Sequence, residues 1–320
     1  MLGGVFALIA AVTFAWTNAA VRRGVVTGTA VQATTLSIPI GLPIFLAALL
    51  LSGQPARLWE LPIRAIVVFV IVGINHFIIG RYCNYRSLAA VGANLAGPVL
   101  QFSLIVSLVL AIAFLGEYLT PLKVLGIILI LIGPALVSRN RSRYAAADER
   151  PTFSPRLAEG YAFGFLASLC YGASPVLVRY AVRDQGLAAS LAGGVVASAA
   201  ATAVIAMLLL WPDHWRQVRA VDPKAAKWFL SSGILVYVSQ IFAYMAAAVA
   251  PVTLTAPIVA LANVFRIHLS RWLNPDHEVF GPDVIWATAI SFIGMLALSA
   301  SADILPLPAS WRVLLSWRWP

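Results

Sequence analysis

The chain has 320 residues, 61% of them hydrophobic and only 11% charged, with a mean hydropathy of +0.89 and a formal net charge of +10. A soluble domain devotes about a quarter of its residues to charge, so this apolar excess excludes a single soluble core and reads as an integral membrane protein. The basic residues are scattered over short loops with no stripe of interleaved aromatics, which argues against nucleic acid as a partner and leaves membrane orientation and anionic lipid as reasons for the charge.

The first run, MLGGVFALIAAVTFAW, has no basic segment before it and is expected to be a spanning helix and not a cleaved leader. Runs of about 20 apolar residues suit a helix crossing roughly 30 Å of hydrocarbon. Ten are predicted, over 3–21, 30–51, 64–88, 91–114, 121–138, 159–180, 188–211, 227–248, 252–272 and 282–301. Turn-rich segments such as SGQPARLWELP, GEYLTP and WPDHWRQVRAVDPK punctuate them. The strict alternation of membrane β-strands is absent, so the expected fold class is all-α with ten transmembrane helices. Cys83 and Cys170 fall inside apolar runs and read as small packing residues.

The polar segment SRNRSRYAAADERPTFSPR divides the chain into halves that repeat each other. At an offset of 159, Tyr85 falls on Tyr244 and Pro98 on Pro257. At 161, Glu117 falls on Glu278, Pro121 on Pro282, Gly133 on Gly294 and Ser138 on Ser299; at 156, Gly4 falls on Gly160 and Arg23 on Arg179. Residues 1–138 and 159–301 are therefore expected to be five-helix repeats joined by a polar linker, 139–158. An odd number of spans per repeat turns the second half upside down. Inverted repeats around a midplane cavity are a transporter architecture, because rocking one half against the other alternates access.

The run YRSLAAVGANLAGPVLQFSLIVSLVLAIAFLGEYLTPLKVLGIILILIG resembles the core of the EamA domain of the drug/metabolite transporter superfamily. It has the Tyr-x-x-Leu segment, the span-breaking proline, Gly-Glu and a glycine near the end of the fifth span. FAWTNAAVRR is similar to the family's first-span signature, with Trp16 and Asn18 in place and Thr17 where Gly or Ser is usual; Ser174 stands at the Asn18 position of the second half. The second repeat departs from the pattern at RWLNPDHEVFG, where Glu278 is the better partner for Glu117. The resemblance implies a ten-helix secondary transporter with a cavity lined by spans 1, 3, 4, 6, 8 and 9. It also implies that Trp16, Tyr171 and Tyr244 sit at cavity positions.

Charges inside spans cost about 2.5–3.5 kcal/mol each on insertion scales and tend to face a cavity or a partner. In the ninth span Asn263, Arg266 and Ser270 share a helical face that Ala256 and Val259 extend, which reads as cavity lining, the alternative being helix–helix contact with Arg266 paired; His268 points elsewhere. In the third span Arg81 and Tyr85 share a face with Asn84 nearby, while Asn75, Tyr82 and Arg86 share another. The repeat sets Arg81 opposite Gln240, deep in the membrane, whereas Arg86 lies near a helix end and is expected to snorkel. His76 is a candidate proton carrier set against the more common role of a packing histidine. Glu117, Glu278 and Glu159 lie at span ends, where the first two are expected to fix helix termini, with Pro98 and Pro257 as structural breaks.

No acid lies deep in a span, while Arg81 and Arg266 do. The expected function is a secondary transporter or exporter of a small anionic metabolite, with substrate-binding candidates Arg81, Arg266, Asn263, Ser270, Asn18, Trp16, Tyr85, Gln240 and Tyr244. A lipid flippase of the same fold, gripping a phosphate headgroup, is the alternative. A membrane enzyme acting on a lipid-linked anion ranks below both, since no triad, metal-ligand spacing or phosphate loop is visible. A small solute and the bilayer are the expected partners, with no cofactor or metal; a homodimer stays open, and the cell (inner) membrane is the expected location.

Lys and Arg number eleven on the side of the long linker and seven on the other, which by the positive-inside rule sets both termini outside the cytoplasm, opposite to the usual drawing of the family. The tail SWRVLLSWRWP, within 302–320, reads as either an interfacial segment or a disordered end.

Overall fold

The computed structural model describes residues 2–129, 131–132, 156–183 and 185–273, with isolated positions between 286 and 297. The helices are α1 (Leu2–Gly24), α2 (Ala30–Leu51), α3 (Ile63–Gly92), α4 (Phe102–Leu115), α5 (121–129), α6 (Leu157–Val182), α7 (Leu187–Leu209), α8 (Pro223–Val249), α9 (Val252–Ala260) and α10 (Ala262–Leu273). A short surface helix, Pro212–Arg219, joins α7 to α8. Six of these helices, α1, α2, α3, α6, α7 and α8, are long and apolar enough to cross a membrane. The protein is an integral, multi-pass membrane protein. Most of the predicted tenth span, Glu278, the linker 139–155 and the tail lie outside the described residues.

Local chemistry sets the helix ends. Thr29 and Gln32 form a reciprocal capping box at the start of α2, and Asp222 caps α8 by accepting from Ala225 N, with Pro223 at the first helical position. Gly116 ends α4 in the left-handed region at φ 63°, and the chain reverses there. Glu117, the next residue, accepts from Val252 N at 2.8 Å and Thr253 N at 2.7 Å, so its carboxylate serves the first free N–H groups of α9.

Without a hydrophobic effect between helices in lipid, close packing of small residues must hold them together. α7 supplies it: Gly193 seats the Phe69 ring, Gly194 the Phe45 ring, and Gly73 of α3 meets the Ala197 carbonyl with no room for a Cβ. Phe45, Phe69, Tyr237 and Tyr244 build the aromatic centre of this cluster. The large apolar side chains that stay exposed, such as Leu50, Val67, Ile71 and Met207, are lipid-facing.

α1 lies along α8, α6 lies along α3, and α2 packs on α7. Arg22 Nη1 donates to the Leu88 carbonyl at 3.4 Å, and Arg179 Nη1 donates to the Ala247 carbonyl at 2.9 Å. Leu88 and Ala247 are separated by the same 159 residues as the paired tyrosines.

Candidate functional site

At the centre of α3 the backbone leaves the α pattern. Gly73–Gly80 is a π-helical turn, and the Arg81 N–H donates to the His76 carbonyl, five residues back. Such i→i+5 segments are rare and concentrate at functional sites. Here the wider turn brings His76 and Arg81 toward the same side of the helix, whereas α-helical spacing would separate them by over a third of a turn.

Arg81 is 1% exposed, its guanidinium lying over the rings of Tyr237 at 4.7 Å and Phe77 at 5.1 Å. Its Nη1 and Nη2 have no hydrogen-bond partner, and among the described residues no carboxylate pairs with it. Nearby buried polar atoms are also unsatisfied: His76 Nδ1, Asn84 Oδ1, Tyr85 OH and Tyr244 OH. Buried polar groups in proteins are nearly always paired, so a group of orphans in one place marks where something else binds.

Beside these residues lies a cavity of about 140 Å³. Phe14 and Asn18 of α1, His76 and Asn84 of α3, and Ser103 and Ser107 of α4 contribute to its wall. So do Tyr171 and Ser174 of α6, Ser239, Gln240 and Tyr244 of α8, and Thr255, Ala256 and Val259 of α9. Most of the remaining lining is apolar. Gln240 Nε2 lies 3.0 Å from His76 Nε2, and Asn84 Nδ2 donates to Asn18 Oδ1 at 3.4 Å. Ser107 Oγ donates to the Gly172 carbonyl at 2.8 Å, and Ser239 Oγ to the Ala10 carbonyl at 2.8 Å. Three of these bonds, all but Asn84–Asn18, tie the two halves together at the cavity.

Of the residues singled out from sequence, Asn18, Tyr171, Gln240, Tyr244, Ala256 and Val259 line the cavity; Arg81 and Tyr85 are buried beside it without lining it. Trp16 is elsewhere: it is 38% exposed and meets Trp272 edge-on at 6.1 Å. Two residues along a helix is more than half a turn, so Trp16 and Asn18 leave α1 on opposite sides. Arg266 is buried on α10, which packs on α1, and does not line the cavity. The face that was to join it to Ala256 and Val259 is interrupted at Leu261, whose N–H turns back to the Ile258 carbonyl and resets the helical register. That break follows Pro257 by one turn. The side chains of Asn263, Ser270 and Pro98 lie outside the described set. Arg86 pairs with Glu159 at 2.7 Å, and Arg156 joins the same carboxylate at 2.9 Å.

Sequence reading passed over Ser103, Ser107 and Phe14, and set His76 aside. The serines repeat at i, i+4 on one face of an apolar helix, a signal that was available. For His76, named as a candidate proton carrier, nothing in the sequence signals its partner, which lies 164 residues away, or its register, which depends on the π turn.

Residues 1–139 match the EamA-like transporter family. The first part of the chain is thus similar to that family. The family belongs to the drug/metabolite transporter superfamily, whose members are transporters. A solved crystal structure of a protein, one of 27 solved chains that match, is 20% identical to this chain and superposes with a TM-score of 0.61. The match covers 92% of this chain and 95% of that one, and the likeness is one of fold. No curated protein matches the sequence.

Proposed function

We propose that this protein is a secondary transporter of a small anionic metabolite, working by alternating access between two inverted five-helix repeats. The observation that carries the reading is Arg81: a fully buried guanidinium with two unpartnered nitrogens, beside a cavity at the meeting of α1, α3, α4, α6, α8 and α9. A charge left unpaired at this depth is expensive. An arginine serves there when a carboxylate or similar oxyanion arrives to take both nitrogens. The related crossings of Arg22 on Leu88 and Arg179 on Ala247, with α1 along α8 and α6 along α3, support an inverted pair of repeats.

Thermal stabilisation of the purified protein tests this, using pyruvate as anion, alanine as zwitterion and choline as cation. Selective stabilisation by pyruvate that disappears in Arg81→Gln is expected. Stabilisation by choline or alanine alone, or by pyruvate equally in both proteins, would make Arg81 a structural residue and overturn the anion reading.

A further inference from the structure

His76 is the titratable group that the anion site leaves unexplained. It sits one π turn from Arg81, is 8% exposed, and lines the cavity with Nδ1 unpartnered. Arg81 is the charged group beside it on its own helix. α6 offers the Tyr171 ring at 4.7 Å, α8 offers Gln240, with Tyr237 and Tyr244 near Arg81, and α1 lends Phe14 and Asn18 to the same cavity. The acids among the described residues, Glu60, Glu117, Glu159, Asp213 and Asp222, all stand at or beyond helix ends.

Gln240 is a partner suited to two states of the ring. Its amide N–H₂ donates to a neutral imidazole nitrogen; turned over, its carbonyl accepts from an imidazolium. Protonation of His76 therefore costs no hydrogen bond at Nε2: the proton is added at Nε2, Gln240 turns its carbonyl to accept from it, and Nδ1, already N–H in the neutral ring, stays a donor without a partner among the described residues. In the empty site, a second positive charge beside Arg81 has no counter-ion. With an anion present it has one.

Resting on the anion reading above, we infer that His76 takes up a proton as the anion binds, so that anion and proton cross together. The charge balance follows directly. The empty site holds one positive charge, that of Arg81. The loaded site holds Arg81, protonated His76 and a monoanion, again one net positive charge. Loading leaves the net charge of the site unchanged, which makes the coupled step electroneutral. By linkage, a proton that promotes anion binding is itself bound more readily when the anion is present.

The experiment adds pyruvate, ionised throughout the range, to the purified protein in weak buffer with a pH-sensitive dye, and measures pyruvate affinity across the interval in which histidine titrates, about pH 5–8. Uptake of about one proton per bound anion is expected, with affinity tightening as pH falls by at most about tenfold per unit. His76→Gln should abolish both the proton uptake and the pH dependence, and should make pyruvate flux in vesicles respond to membrane potential. Binding with no proton uptake and the same affinity at both ends of the range would overturn this inference while leaving the anion site standing. Failure of pyruvate and of methanesulfonate to bind at any pH would remove the anion site and this inference with it. Should the variant not fold, proton uptake by the unaltered protein decides the question alone.

Discussion

Two residues show how one membrane protein uses charge for opposite ends. Glu117 spends its carboxylate on two backbone N–H groups at the start of α9, a satisfied arrangement with one oxygen for each donor. Glu117→Gln leaves one oxygen and no charge, and is expected to lower stability by about 1–2 kcal/mol, read as a lower melting temperature in detergent. Arg81 has the faces of Tyr237 and Phe77 but no carboxylate among the described residues, and its Nη1 and Nη2 have no hydrogen-bond partner there. Arg81→Met is therefore expected to leave the ligand-free protein as stable as before or to stabilise it, by up to about 4 kcal/mol, while removing the response to anion. A marked loss of stability in that variant would show that Arg81 holds the fold together instead.

Among the elements, α3 and α7 carry the tightest constraint. Gly73 has its Cα against the Ala197 carbonyl, where a methyl group would force two backbones apart. Gly73→Ala is expected to cost about 1–3 kcal/mol, measured by thermal unfolding. Gly4→Ala is the matched comparison: its added carbon would meet Ile258 at an ordinary 3.6 Å, so it should be close to neutral. The π turn that begins at Gly73 also settles which residues of α3 act together. α-Helical spacing groups Arg81 with Tyr85 and leaves His76 aside; one wider turn brings His76 toward the side of Arg81.

For the whole molecule, the halves meet on both sides of the cavity. On the side where α1 ends and α8 begins, Thr27 Oγ1 donates to Asp222 Oδ2 at 3.1 Å, Gln32 Nε2 donates to the Gln217 carbonyl at 2.8 Å, and Ser87 Oγ donates to the Gly160 carbonyl at 2.8 Å. Alternating access requires these contacts to part in the opposite state. Thr27→Cys with Asp222→Cys, joined by a short reducible cross-linker, should stop pyruvate flux in vesicles, with recovery on reduction; the native Cys83 and Cys170 are buried and shielded. Undiminished flux after complete cross-linking would rule out a rocking movement at this seam.

What the sequence determined by itself is whatever depends on composition and local order. Apolar length marks the helices, since a span must satisfy its own backbone in lipid. Offset tyrosines, prolines and glutamates are the ground for expecting a repeat, and a lack of mid-span acids against two mid-span arginines is the ground for proposing an anion. The tertiary structure alone decided which polar residues meet. Trp16 turns out to lipid and Asn18 in, Arg266 parts from Ala256 and Val259 at the Leu261 break, and His76 comes to Gln240 from 164 residues away. Each of those outcomes rests on a helix rotation or a change of turn, and a few tens of degrees there move a side chain from the cavity to its surroundings without altering any local pattern that a sequence displays.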